Sequence, residues 1–170
     1  ISCKRCHKEY ELTEYGYLRT PEEHTGNSGR VYQDSRGTGF THIPDWYRWE
    51  RECVRQELLS GVYRMEVPVT IYMMVNADRI YQVGEGTLVH SREGFHLTGC
   101  GGRLNYVQEP LASYSLYADF YWYEMGDVIS LGDEKVQYYC FPKDCGDIVA
   151  KARLAKEELY KLVREGMESR

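Results

Sequence analysis

The stretch from 62 to about 141 carries the pattern that most limits what this chain can fold into. Val67, Val69, Ile71 and Met73 occupy alternate positions, which is typical of a strand with one buried face. Further short runs follow, and about seven short strands with closely spaced turns indicate an antiparallel sandwich or barrel. The other runs are 87–90, 95–98, 104–107, 115–123, 127–131 and 136–141, with breaks expected at 84–86, 91–94, 99–102 and 132–133.

Helical patterns lie on both sides of the strand region. Before it, Pro44 and Asp45 suit the first turn of a helix, and Gly61 suits its C-terminal stop. After it, apolar residues recur every three or four positions opposite a charged face. This second helix is expected to lie across the sheet on a single apolar stripe. The stripe consists of Ile148, Ala152, Ala155, Leu159 and Leu162.

The N-terminal segment opens with a pair of cysteines at metal-ligand spacing. Cys3 and Cys6 can supply two corners of a tetrahedral zinc site, and a short hairpin with its turn at 13–16 follows them. The other two ligands would come from Cys140 and Cys145, from a histidine, or from a knuckle outside this chain. The alternative is that both thiols are free. A redox role is disfavoured because a hairpin follows the pair where a helix N-terminus would be needed to stabilise a thiolate.

These elements together predict an α+β fold that is mainly β. Antiparallel strands followed by one amphipathic helix are the outline of the pleckstrin-homology (PH) superfold, in which the helix plugs an open end of a bent sandwich. We expect an antiparallel PH-like β-sandwich or barrel capped by a C-terminal helix, with a zinc-ribbon-like hairpin and a helix before the sheet. The expected segments are a half zinc-ribbon hairpin at 1–20, a linker at 21–40, a helix at 41–61 and the PH-like domain with its C-terminal helix at 62–170.

Composition excludes several classes of function. The 170 residues carry a formal net charge of -5, and a generic nucleic-acid binder would instead need an excess of basic residues. Hydrophobic residues make up 42% of the chain, which supports a folded core and argues against disorder. No stretch approaches the ~18 apolar residues of a membrane span. Any contact with a membrane is therefore expected to be peripheral.

The histidines have structural interpretations that we favour over catalytic ones. His42 and Asp45 have a spacing that suits general-base or metal chemistry, but a position at the start of a helix explains the pair as well. His90 and His96 fall on the two strands of a predicted hairpin, where a cross-strand polar pair is the ordinary explanation.

The isolated cysteines and the aromatic run are also interpreted structurally. Cys53 and Cys100 are predicted to be core residues, because isolated cysteines are commonly buried. The tyrosine-rich run 114–123 is predicted to be a central strand, with contact to another domain as the alternative for its outer aromatics.

Four stretches resemble the C-terminal extension of Firmicutes 1-acyl-sn-glycerol-3-phosphate acyltransferase-like proteins. The resemblance covers nearly all 170 residues, and the segment at 40–51 is its most specific part. The stretches are Cys3-Lys4-Arg5-Cys6-His7-Lys8-Glu9-Tyr10-Glu11-Leu12-Thr13-Glu14-Tyr15-Gly16-Tyr17-Leu18, Phe40-Thr41-His42-Ile43-Pro44-Asp45-Trp46-Tyr47-Arg48-Trp49-Glu50-Arg51, Gly94-Phe95-His96-Leu97-Thr98-Gly99 and Val149-Ala150-Lys151-Ala152-Arg153-Leu154-Ala155.

The resemblance implies a non-catalytic region. In that family two CxxC knuckles form a zinc ribbon after the acyltransferase domain, and Cys3 and Cys6 match the second knuckle. The family's catalytic HxxxxD motif has no counterpart, since no histidine here is followed by aspartate five residues later. The chain is thus expected to be part of a longer polypeptide that acts in phospholipid synthesis, with zinc shared between this knuckle and another.

The resemblance also implies partners and a location. These are the N-terminal acyltransferase domain of the same polypeptide, the inner membrane surface from the cytoplasmic side, and a second copy of the chain, but no nucleic acid. An alternative is a PH-like lipid- or protein-binding module with no acyltransferase role. The turn at 76–79 holds one arginine and one aspartate, which argues against strong binding of anionic headgroups. A third hypothesis, an independent enzyme, would need a cleft with convergent titratable groups.

Overall fold

The structure is a computed structural model that describes residues 9–19, 40, 42–76, 79–119, 125–143 and 148–168. The chain forms two compact units, residues 1–52 and 53–170, and the division falls inside the first helix. In chain order the elements are β1 (Glu11–Leu12), β2 (Leu18–Arg19), α1 (Ile43–Ser60), β3 (Met65–Val75), β4 (Arg79–Ser91), β5 (Gly94–Gly99), a 3-10 turn (Cys100–Gly102), β6 (Leu104–Gln108), β7 (Tyr117–Asp119), β8 (Val128–Gly132), β9 (Val136–Pro142) and α2 (Ile148–Glu168).

The N-terminal unit is a small hairpin beside the first half of α1. Its strands β1 and β2 pair antiparallel, with Leu12 opposite Leu18, so the predicted hairpin is confirmed. Tyr10, Leu18 and Trp46 are buried together, and the Tyr10 and Trp46 rings meet edge to face at 5.1 Å. An aromatic cluster of this kind buries enough apolar area to hold a two-residue hairpin against a helix.

The larger unit is one curled antiparallel sheet of seven strands. The strand order is β6-β5-β4-β3-β9-β8-β7, and α2 follows the last strand. The first four strands form a meander, the last three form a second meander, and β3 joins them by pairing with β9. This arrangement confirms the predicted mainly β fold with a helix before the sheet and a helix after it.

Strand β4 continues through the glycines at which we expected a turn, and its pairing with β3 shifts register there, between Gln82 and Gly84. Gly86 lies opposite Val69 and Gly99, on the concave face of the sheet. A Cβ at Gly86 would lie 2.7 Å from Ile71 Cδ1 and 2.2 Å from the Thr98 carbonyl oxygen. The glycine therefore serves close packing and curvature within a strand, a role that the sequence does not distinguish from a turn.

The main core fills the concave face of the sheet. Inward residues of the strands pack against Val54 and Leu58 of α1 and against Val149, Ala152 and Ala155 of α2. Both helices therefore contribute an apolar face to one core. The buried strand residues are Met65, Val67, Val69, Ile71, Leu88, Phe95, Leu97, Ile129, Leu131 and Cys140.

Helix α2 is buried on more sides than the single apolar stripe that we expected. Every residue from 154 to 159 is buried, including Lys156, Glu157 and Glu158. Covering on several sides explains the difference, because the sheet, the C-terminal half of α1 and the loop after β6 all contact the middle of this helix. Neither helix in the described part of the chain is long and apolar enough to cross a bilayer.

Candidate functional site

A histidine lies in the core of the larger unit. His90 is on the concave face of β4 and is fully buried. Its ring stacks on Phe95 with centroids 3.8 Å apart, and its Nδ1 atom shares a 3.0 Å hydrogen bond with the Tyr63 hydroxyl. Its Nε2 atom has no hydrogen-bond partner in the described part of the chain. One polar atom of this ring is thus left buried and unsatisfied.

A lysine of α2 is also buried in the larger unit. Lys156 is fully buried, and its Nζ donates a 2.5 Å hydrogen bond to the carbonyl oxygen of Pro110. That carbonyl lies in the loop between β6 and β7, so the lysine fastens α2 to the loop. No carboxylate of the described residues forms an ion pair with Lys156. We call Tyr63, His90 and Lys156 the buried polar cluster.

Burial dominates the proton affinities of the cluster. The pKa of His90 is lowered to about 3, chiefly by loss of water and then by the charge of Lys156. Loss of water also lowers the pKa of Lys156 to about 8. The pKa of the Tyr63 hydroxyl is raised, chiefly by burial and then by the charge of Glu57. At neutral pH the imidazole and the phenol are therefore neutral, and the lysine is mainly a cation.

The charged groups around the cluster are already paired with one another. Lys151 Nζ lies 2.7 Å from Glu57 Oε2 and 5.9 Å from the centre of the Tyr63 ring. Glu158 contacts Arg55 at 3.2 Å and Lys161 at 2.7 Å. These pairs fasten α1 to α2 at the rim.

A second set of contacts closes the curled sheet next to the cluster. Gln108 Oε1 accepts a 3.1 Å hydrogen bond from the backbone N–H of Gly132, which joins β6 to β8 across the concave side. The Tyr106 and Tyr138 rings meet at 5.1 Å, joining β6 to β9 in the same way. These two contacts join strands that are not neighbours in the sheet.

Of the four cysteines predicted as zinc ligands, the structure describes Cys140. Cys3, Cys6 and Cys145 lie outside the described residues. Cys140 points into the core, and burial raises the pKa of its thiol to about 12. A zinc ligand must be a thiolate, so this position does not suit Cys140 as the partner of the N-terminal pair. In the described part of the chain, no group of three or more His, Cys, Asp or Glu could hold a metal ion.

The remaining candidates occupy structural positions. His42 lies just before α1, with its ring 4.4 Å from the Tyr17 ring and its Nδ1 3.8 Å from Asp45 Oδ2. Cys53 and Cys100 are half-buried, so they are less enclosed than predicted.

The two hairpin histidines do not face each other. His90 pairs with Phe95, and His96 pairs with Val89, which places the two imidazoles on opposite faces of the sheet. The prediction of a cross-strand pair was therefore wrong by one position in register.

Of the aromatic run, 117–119 forms β7, and Tyr114 packs edge to face on Tyr160. β7 is an edge strand, not the central strand we predicted. Residues 120–124 lie outside the described part.

Sequence reasoning missed Lys156. A usable signal was present, because Lys156 falls four residues after Ala152 and three before Leu159, on the stripe that helical periodicity assigns to the core. A lysine on such a stripe indicates either a buried ammonium group or a side chain that reaches past the core to water.

Comparison with protein-family models, with curated proteins and with solved structures found no match to this chain.

Proposed function

We propose that this chain is the non-catalytic accessory region of a lysophosphatidic acid acyltransferase-like protein. Its role is to dock or position a catalytic domain of the same polypeptide, on the cytoplasmic side and at the surface of the inner membrane. The proposal rests on the four stretches that resemble the extension of that family. It gives the chain no step in the transfer of the acyl group.

The burial of the reactive side chains is the observation that carries the non-catalytic part of this proposal. Among the described residues with strongly shifted pKa values, Tyr63, His90, Cys140 and Lys156 are all 4% exposed or less. A general base must come within hydrogen-bond reach of its substrate, and side chains buried to this degree do not meet a substrate in solvent. They support the fold better than they support catalysis.

A direct assay of the chain alone tests this part. We expect the purified 170-residue chain, given acyl-CoA and lysophosphatidic acid, to form no more phosphatidic acid than buffer does. A Lys156→Met chain serves as the matched control, because it removes the most basic group of the cluster. Turnover that is present in the natural chain and absent in the control would contradict the proposal.

The second candidate is a PH-like binding module with no acyltransferase role. Strand β6 supports a protein ligand, because it is a sheet edge whose Val107 side chain is 57% exposed, and an extended peptide can add to such an edge.

The turn after β8 argues against an anionic lipid. There Asp133 accepts hydrogen bonds from the N–H groups of Lys135 and Val136, and its pKa is lowered, so it presents a carboxylate at neutral pH. Salt-sensitive sedimentation with anionic vesicles would favour the lipid ligand, and binding of extended peptides without vesicles would favour the protein ligand.

The zinc knuckle remains part of the proposal. Cys3 and Cys6 would supply two thiolates, and a second knuckle, from the same polypeptide or from a second copy, would supply the other two. We expect metal analysis of the purified chain to find about one zinc for each two chains in any dimer fraction, and close to none in the monomer. A full zinc equivalent in the monomer would contradict the shared site.

A further inference from the structure

The loop between β6 and β7 joins the two edges of the curled sheet. Strand β6 lies at one end of the strand order and β7 at the other. The connecting segment 109–116, which we call the strap, is described throughout and contains no helix or strand. Between 110 and 115, the backbone–backbone hydrogen bond in the described chain is from the Ala112 N–H to the Glu109 carbonyl. Side chains, and not a backbone ladder, therefore hold the strap in place.

The strap runs along one face of α2. At its start, the Pro110 carbonyl oxygen accepts the 2.5 Å hydrogen bond from Lys156 Nζ. Four residues later, the Tyr114 ring meets the Tyr160 ring edge to face at 5.3 Å. Lys156 and Tyr160 are also four residues apart, so they lie one above the other on the same face of the helix. The strap thus follows α2 for about one helical turn.

Two further contacts hold the strap closed. Gln108 Nε2 donates a 3.3 Å hydrogen bond to Ser113 Oγ, while Oε1 of the same side chain holds the N–H of Gly132 in β8. At the C-terminal end of the strap, Leu116 is buried in the main core. The closed position is therefore favoured by one apolar side chain and one neutral hydrogen bond, in addition to the tyrosine pair.

The Lys156 ammonium group works against closure. Its nitrogen carries three N–H donors, and the closed strap offers one acceptor, the Pro110 carbonyl oxygen. The side chain is fully buried, and no carboxylate of the described residues forms an ion pair with it. An ammonium group that exchanges its hydration for a single carbonyl is less stable than in water. Because this acceptor belongs to the strap, opening of the strap returns the charge to water.

We propose that the strap is a lid poised to open, driven away from α2 by the buried Lys156 ammonium group while the sheet and α2 stay folded. The closing contacts and the cost of burying the charge oppose each other, so the open state is populated without global unfolding. Opening brings the ammonium group to the surface and uncovers the side of the Tyr160 ring that Tyr114 covers. The open chain thus displays a cation that the closed chain hides. The lid does not depend on the proposed acyltransferase role.

Limited proteolysis of the full chain tests the lid, because a protease cuts a locally opening segment at a rate set by its open population. Chymotrypsin has sites in the strap after Leu111, Tyr114 and Leu116. Its site after Tyr72 lies inside β3 and needs global unfolding. At pH 7, we expect initial cleavage in the strap to be at least roughly tenfold faster than cleavage after Tyr72. In the Lys156→Met chain, strap cleavage should slow roughly tenfold, because an apolar side chain favours the closed lid.

A matched control is Lys151→Met, which removes another lysine of α2 whose partner is Glu57 and not the strap. It should leave the rate of strap cleavage unchanged. Three results would each overturn the lid. They are strap cleavage no faster than cleavage after Tyr72 in the natural chain, unchanged or faster strap cleavage in Lys156→Met, and the same slowing in Lys151→Met.

Acetylation of lysines gives a second readout that needs no substitution in the core. With an amine-reactive acetyl ester at pH 7, Lys156 should be labelled in the folded natural chain, more slowly than the exposed Lys151. Ser113→Ala removes the tie to Gln108 from the strap alone. It should raise the labelling rate of Lys156 roughly two- to five-fold and leave that of Lys151 unchanged. Labelling of Lys156 only at urea concentrations that unfold the chain would overturn the lid, as would equal rates at Lys156 in the two chains.

Discussion

At the scale of single residues, the least expected feature is a lysine that is buried without an acid. Its stem lies among core residues, and its ammonium group has one carbonyl as an acceptor. An ammonium group buried in this way costs free energy that a methylene chain of the same length would not. Lys156 therefore gives specificity of contact between α2 and the loop after β6 at the expense of stability.

Replacement of Lys156 by methionine should raise the stability of the chain. We expect an increase of about 1–3 kcal/mol in the free energy of unfolding at pH 7, measured in urea, because the folded state no longer buries a cation. The gain is limited because the substitution leaves the Pro110 carbonyl oxygen without the hydrogen bond that Lys156 donates.

The direction in which the free energy of unfolding changes with pH can be checked. The pKa of Lys156 is lowered from 10.5 to about 8 in the folded state, so the unfolded chain binds more protons between these values. The stability of the natural chain should therefore rise from pH 8 to pH 10.5, and the advantage of Lys156→Met should shrink over that range. Lys151→Met, which removes an exposed partner of Glu57, should show no such gain at pH 7. An advantage of Lys156→Met that stays constant with pH would contradict this account.

At the scale of elements, the spacing of apolar residues and the positions of turn residues predicted most of the structure. The alternation at 67–73 became β3, and the apolar repeat from 148 to 162 became α2. These signals survive because each depends on one buried face.

Other elements could not be predicted, because their cause lies in distant residues. The glycines at 84–86 predicted a break between two strands. They lie inside β4 instead, where Ile71 and strand β5 pack closely against Gly86. The burial of α2 around its circumference depends on Arg55 and on the loop at Pro110, which sequence periodicity does not bring together. The candidate site was missed for the same reason, since β4 and α2 are far apart in sequence.

The curvature of the sheet predicts the effect of one substitution. Gly86→Ala should destabilise the chain by about 2–4 kcal/mol, because the new methyl group would collide with the Thr98 carbonyl and with Ile71. Gly166→Ala is the control, since its Cβ meets nothing within 4 Å and alanine favours helix over glycine by about 0.5–1 kcal/mol. Thermal unfolding of both variants would measure the difference. Equal melting temperatures would contradict a packing role for Gly86.

At the scale of the whole molecule, the larger unit is a curled sheet closed by contacts from β6 to β8 and β9, with α2 and the C-terminal half of α1 packed on its core. Its chemically reactive groups lie inside the core, whereas edge strand β6 and the hairpin tyrosines Tyr15 and Tyr17 are exposed. The exposed strand and tyrosines could contact another domain, whereas the buried groups described above are not accessible to a substrate. For this reason we propose an accessory role.

The measurement that tests the proposed role most directly is acyl transfer by a polypeptide that joins the proposed acyltransferase domain to this chain, compared with the same polypeptide lacking this chain. The substrate would be lysophosphatidic acid, presented either in phosphatidylethanolamine–phosphatidylglycerol vesicles or as a short-chain soluble analogue. We expect removal of the chain to lower the rate on vesicles several-fold and to leave the rate on the soluble analogue unchanged. Equal rates on vesicles with and without the chain, or loss of activity on both substrates, would contradict a docking role.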